Sequence, residues 1–176
     1  EVFATGLRNP QELAFDDFGN LITGDNNSDG ADLARIVHVV RGGDSGWRLN
    51  YQYIANRGPW VTEGWYKPAF PHQAAFLVPP VANLGNGPSG FAHDPGTGLP
   101  KEWAGRFFLC DFKGSKNRSG VRSFRLSPKG ASFSLHDPNW FMQRVLTTDV
   151  AFGPAGGIYV TDWVQGWVGP GKGRIY

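Results

Sequence analysis

A short apolar run that closes on aspartate occurs three times in this chain: Leu21-Ile22-Thr23-Gly24-Asp25, Phe107-Phe108-Leu109-Cys110-Asp111 and Ile158-Tyr159-Val160-Thr161-Asp162. Each copy has a shorter apolar partner upstream, Leu13-Ala14-Phe15, Phe91-Ala92-His93 and Val150-Ala151-Phe152. Between partner and run lies a turn-forming segment: 16–20, 94–98 and 153–157. Gly, Pro, Asp and Asn in those segments supply the backbone angles that reverse a chain. Ala14 to Asp25 and Ala151 to Asp162 are both 11 positions. Ala92 to Asp111 is 19, which places an eight-residue insertion around 99–105. After each Asp comes a third run with an early Arg: 34–39 with Arg35, 121–126 with Arg122 and 173–176 with Arg174.

Strand, turn, strand, loop, strand is a β-meander. One meander has two unpaired edges and cannot bury both of its faces, so isolated copies are unstable. Side-by-side stacking around an axis solves this and gives a β-propeller; an ordinary sandwich of turn-rich hairpins is the alternative. The ordered recurrence of all three pieces favours the propeller. The fold expected is all-β, with about three blades spanning 6–47, 86–135 and 147–176. The intervening 48–85 reads as a long ordered aromatic loop, with an extended stretch at 75–81. Loops of that length in compact domains carry function or act as linkers, and the aromatic content argues against a linker.

Composition narrows the function classes. With 25 Gly and 13 Pro in 176 residues, many short strands and tight turns are expected. The 40% hydrophobic and 14% aromatic content suffices for a core. Net charge is +2 with scattered basic residues, so nucleic acid is not an expected partner. The single cysteine, Cys110, excludes an internal disulfide and a CxxCH haem attachment in this segment. No run of eighteen apolar residues is present, so no transmembrane segment is expected. Both termini read as lying inside strands, and a piece of a larger propeller is the expectation.

Gly6-Leu7-Arg8-Asn9-Pro10-Gln11-Glu12-Leu13-Ala14-Phe15 resembles the opening of a blade in soluble quinoprotein glucose dehydrogenases and related sugar dehydrogenases. Gly42-Gly43-Asp44-Ser45-Gly46-Trp47 resembles the next motif of that family. Other motifs are similar to exported bacterial proteins that join a membrane-bound-dehydrogenase propeller to a c-type haem domain. These are Asn86-Gly87-Pro88-Ser89-Gly90, Phe107–Phe112, Thr161-Asp162-Trp163 with Gly166-Trp167, and 171–176. The resemblance implies a six-bladed, TolB-like, quinoprotein glucose dehydrogenase-like β-propeller of which about half is here. It further implies oxidation of a sugar or polyol hydroxyl by hydride transfer to pyrroloquinoline quinone (PQQ), with Ca²⁺ holding the quinone. The electrons would pass to a c-type haem domain of a periplasmic or otherwise exported full-length protein.

By the same resemblance Arg8 polarises the quinone, and Arg8, Asn9, Gln11, Lys172 and Arg174 contact it. The other reading of Arg8 is a pair with a neighbouring Asp, and Arg35 and Arg122 repeat the Arg174 position, which points to a structural role. The loop from Asp25 through Asn26, Asn27, Ser28 and Asp29 to Asp32 is rich in oxygen donors that suit a hard cation such as calcium. It departs from the family, where Gly-Pro stands in place of Asn27-Ser28, and an Asx-rich turn is its other reading. Asp111 and Asp162 either form an acidic ring with Asp25 or bond within their own blades. The family's general base lies outside this chain; His72 is the one weak candidate within it. Trp47, Trp60, Trp65, Trp163 and Trp167 would form an aromatic sugar-binding mouth. That mouth serves equally a second function class, a non-catalytic propeller module that binds a glycan or a protein.

Overall fold

The computed structural model describes residues 1–27, 33–47, 63, 70 and 77–176. The strands there are β1 (Pro10–Phe15), β2 (Leu21–Asp25), β3 (Arg35–Val39), β4 (Ala82–Asn83), β5 (Pro88–His93), β6 (Phe107–Asp111), β7 (Gly120–Lys129), β8 (Ser132–Gln143), β9 (Thr147–Phe152), β10 (Ile158–Asp162) and β11 (Arg174–Ile175). They form three antiparallel sheets, β1-β2-β3-β4, β5-β6-β7-β8 and β9-β10-β11. Each sheet is one repeat of the sequence, and β1 packs beside β5 and β5 beside β9. The first strands of the three sheets therefore stand side by side, as the inner strands of adjoining propeller blades do.

Side-chain period explains which strands could be read from sequence. In β6 every residue is buried. Phe107 and Leu109 join Ile22, Ile36, Phe91 and Phe124 in one core between the first and second blades. Phe108 and Cys110 turn the other way, to Val121, Val150 and Val160 between the second and third. A strand with a blade on each side must be apolar at successive positions. The expected insertion at 99–105 packs Trp103 edge-on to Phe141 and tilted against Phe108.

Two strands depart from expectation. β8 runs to Gln143, past the expected limit at 135. Its centre is Asp137-Pro138-Asn139, turn-type residues, with Asp137 at φ 48° and the register against β7 slipping between His136 and Asn139 and again between Trp140 and Met142. The local chemistry signals a break, and pairing with β7 carries the strand through it. β4 is two residues long, Ile36 facing Ala82 and Arg35 facing Asn83.

The repeated Asp is a structural staple. Asp25 and Asp111 are fully buried and Asp162 nearly so. Each places Oδ1 on backbone N–H groups of the segment leading into its blade's first strand. Arg8 N–H and Asn9 N–H donate to Asp25 at 2.9 and 2.8 Å. Asn86 and Gly87 donate to Asp111 at 2.9 and 3.3 Å. Leu146 donates to Asp162 at 3.1 Å, joined by Val164 at 2.8 Å. Oδ2 meets the third strand: Arg35 pairs with Asp25, and Arg122 Nε donates to Asp111 at 2.7 Å. In the third blade Tyr176 Oη intervenes, donating to Asp162 at 3.3 Å and accepting from Arg174 at 2.9 Å. The carboxylates thus bond within their own blades and form no open acidic ring. Removing one partner of a buried, hydrogen-bonded pair strands the other, which costs roughly 3–5 kcal/mol. Asp111→Ala is therefore expected to lower stability by about that amount in urea unfolding, whereas a loss under about 1 kcal/mol would class the staple with surface pairs.

Candidate functional site

The staples bring the loops before the first strands and the loops after the second strands to one end of the blades. A cleft of about 720 Å³ opens there, lined by residues of all three blades. Asn9, Gln11, Asn26 and Asn27 come from the first blade. Asn86, Ser89, Phe112, Lys113 and Arg118 come from the second, and Trp167 from the third. Gly87 also lines it, and its lack of a side chain is required. A Cβ there would stand 1.9 Å from the Phe112 carbonyl oxygen, because Phe112 N–H donates to Gly87 O at 2.7 Å.

Most of the expected site residues can be placed. Gln11 Nε2 donates to Asn9 Oδ1 at 2.7 Å, which fixes both amides at the cleft wall. Arg8 lies beside them, half-buried, its guanidinium 5.7 Å from the centroid of Trp47. Arg35 holds that corner together: it bonds Ser45 O at 2.6 Å and Gly6 O at 3.3 Å besides pairing with Asp25. The Gly-rich turn ending in Trp47 is thereby fastened next to Arg8, and Trp47 N–H donates to Gly6 O at 2.8 Å. Asp25 lies beneath the cleft with its oxygens committed to the staple. Asn27 is buried, and Asn26 Oδ1 is buried without a hydrogen-bond partner among the described residues. A buried amide oxygen in that state is costly.

Trp163 is half-buried, stacked at 6.3 Å on Phe112, with Trp167 edge-on to it at 4.4 Å and 73% exposed at the cleft lip. Arg174 does not line this cleft. It contributes to a separate depression with Thr148, Thr161 and Ile175, and Lys172 is exposed on the loop leading to it. Ser28, Asp29, Asp32, Trp60, Trp65 and His72 lie outside the described residues.

Sequence reasoning missed Lys113 and Arg118, the two cations of the cleft. Lys113 Nζ is 3.4 Å from Asp111 Oδ2. Arg118 donates to Ser115 Oγ at 3.3 Å and to the Lys113 carbonyl at 3.2 Å, which closes the loop from Lys113 to Ser119 on itself. No acidic residue lines the cleft among the described residues. The signal was in the repeat: Asn27 and Lys113 both stand two places after the stapling Asp, so a cleft position in one blade implied one in the next. The arrangement is an open, positively charged, amide-rich surface with an aromatic lip, suited to a planar or polyhydroxylated ligand that carries carboxylates. Gly87→Ala is expected to push the lead-in of β5 off Phe112, at a cost of about 1–3 kcal/mol. Thermal unfolding checks this, and an unchanged midpoint would contradict the close approach.

No protein-family description matches the chain, and no curated protein matches it. Solved structures do. A Thermus thermophilus protein described as an oxidoreductase (glucose dehydrogenase) superposes with a TM-score of 0.67 at 21% identity, over 99% of this chain and 46% of its own. The soluble aldose sugar dehydrogenase of Escherichia coli in its apo form gives 0.65 at 20% identity, over 99% and 46%. The PQQ-bound aldose sugar dehydrogenase of Streptomyces coelicolor gives 0.59 at 21%, over 99% and 44%. This chain spans less than half the length of each. It is all-β and has the fold of part of the β-propeller found in glucose and aldose sugar dehydrogenases.

Proposed function

We propose that the full-length protein is a PQQ-dependent dehydrogenase of a sugar or polyol hydroxyl and that the cleft described above is the quinone-side half of its active site. The observation that supports this best is the cleft's donor set: Lys113, Arg118 and the amides of Asn9, Gln11 and Asn86, with no carboxylate lining it among the described residues. PQQ is a flat tricarboxylate that accepts a hydride when bound. Lys113 and Arg118 offer cations to its carboxylates, and the amides offer hydrogen bonds to its ring oxygens. Arg8, held by its backbone to Asp25 and flanked by Trp47, is the group proposed to stabilise negative charge developing on the quinone. Asn26 Oδ1, without a hydrogen-bond partner among the described residues, is the donor type that calcium takes, and a cation there would satisfy it. Asp25 contributes to the site by holding Arg8 and Asn9 in place. Arg174 and Lys172 are left out of the quinone contacts. The general base is assigned to blades outside this chain, and the electrons to a c-type haem domain of an exported full-length protein.

A second reading rests on Trp167. A largely exposed indole at a cleft lip is an aromatic platform for a sugar ring, and a propeller that binds a glycan without turnover uses the same feature. The two readings separate in one experiment. Full-length protein is loaded with PQQ and Ca²⁺, and dye reduction is followed with a panel of aldoses and polyols. Sugar-dependent reduction is expected, lost in Arg8→Ala. Lys113→Gln is expected to weaken PQQ binding roughly ten- to a hundredfold. Glycan binding that needs Trp167, with no quinone retained and no dye reduced, would replace the dehydrogenase by the binding module.

A further inference from the structure

The loop between β10 and β11 holds Val164 at φ 50°, the only β-branched side chain in the left-handed region among the described residues. Branching at Cβ makes that conformation costly, and it persists only where neighbours enforce it. Here they do. Val164 N–H donates to Asp162 Oδ1 at 2.8 Å, and Trp163 N–H donates to Leu146 O at 3.0 Å. Gly166, also left-handed at φ 57°, donates its N–H to Trp163 O at 2.9 Å. A Cβ on Gly166 would stand 2.7 Å from Leu146 Cδ2, so the turn passes too close to the lead-in of β9 for any other residue. The chain is thereby bent into a short 3₁₀ segment, Gly166–Val168, which carries Trp167 to the lip of the cleft. Trp167 is left 73% exposed and Val168 95% exposed. A loop that served only to join two strands would gain nothing from a strained valine and an indole held in solvent.

Trp167 also differs from the other described tryptophans. Trp47, Trp103 and Trp140 each have an arginine over the ring: Arg8 at 5.7 Å, Arg106 at 5.6 Å and Arg122 at 3.9 Å. Trp163 stacks on Phe112 and meets Trp167 at an interplanar angle of 75°. Among the described residues no cation and no parallel ring covers Trp167. The uncovered indole faces a cleft whose walls carry the amides of Asn9, Gln11 and Asn86. An open aromatic face beside amide groups matches a pyranose, which has an apolar C–H face and hydroxyls around its rim. A cleft of about 720 Å³ holds more than one such ring, and its polar wall and its indole come from different blades.

We propose that Trp167 is an outer subsite that stacks on a second sugar unit, so that the substrate is a disaccharide or longer glycan and not a free monosaccharide. The fate of the sugar rests on the dehydrogenase reading; its binding at Trp167 does not.

The test uses full-length protein with glucose, cellobiose, cellotetraose, maltose and maltotetraose. Binding is measured by calorimetry without quinone, and dye reduction is followed with PQQ and Ca²⁺. At least one oligosaccharide series is expected to bind about five- to thirtyfold more tightly than glucose, and the same preference should appear in KM. In Trp167→Ala the ratio of oligosaccharide to glucose affinity should fall to near one, and Trp167→Phe should keep part of it. A ratio near one in wild type, or one unchanged in Trp167→Ala, would overturn the subsite; dye reduction with glucose would then leave the dehydrogenase reading standing. Oligosaccharide binding that depends on Trp167, with no dye reduced, would uphold the subsite and remove the dehydrogenase reading.

Discussion

Three buried carboxylates hold this structure in the form that matters for its surface. A blade's first strand and its neighbouring connections meet only if the backbone N–H groups leading into that strand, which lie outside the β ladder, find acceptors. Asp25, Asp111 and Asp162 supply those acceptors from the end of the second strand. Because the same carboxylates reach toward the third strand through Arg35, Arg122 or the Tyr176–Arg174 relay, each fastens three strands of its blade at one end. The cleft lies at that end. Its shape follows from the staples and from the close approach of Gly87 to Phe112.

This division explains what the sequence made legible. The Asp of each repeat, the Gly-rich turns and the early Arg recur because every blade needs them, and they located three blades and the order of their strands. The apolar run of β6 was readable because a strand with a blade on both sides must be apolar throughout. In β10 the exposed Tyr159 and half-buried Thr161 turn to one side while Val160 is buried on the other, and alternation returns. β8 escaped notice because Asp137-Pro138-Asn139 signals a turn, and only pairing with β7 overrides it. The site was half legible. Asn9, Gln11, Asn26, Asn27 and Trp167 stood out by composition or resemblance. Lys113 and Arg118 did not, since one cation in a polar loop carries no local pattern; only the equivalence between blades identifies Lys113. Arg174 repeats the position of Arg35 and Arg122, and it reaches Asp162 through Tyr176.

The charge arrangement gives the molecule two distinct polar regions. At the cleft, cations and amides face solvent above a buried acid that is already paired, so the exposed character is positive and hydrogen-bonding. Between the inner strands, Glu12 and Asp149 approach the backbone of Gly90–Phe91, and neither makes an ion pair among the described residues. The first region suits a carboxylated ligand and supports the quinone reading. The second holds the inner strands of adjoining blades against one another. The two are connected through β1: Arg8 and Asn9 precede it at the cleft, and Glu12 sits within its register slip between Pro10 and Leu13. Whatever shifts the inner strands shifts the residues proposed to meet the quinone.

The most direct test of the staple account is amide hydrogen exchange at single-residue resolution. The N–H groups of Arg8, Asn9, Asn86 and Leu146 lie in loop segments outside the β ladders, yet each donates to a buried carboxylate. They are predicted to exchange as slowly as ladder amides such as Leu109, with protection approaching that of global unfolding. Exchange at the rate of an open loop would contradict the claim that these carboxylates organise the cleft.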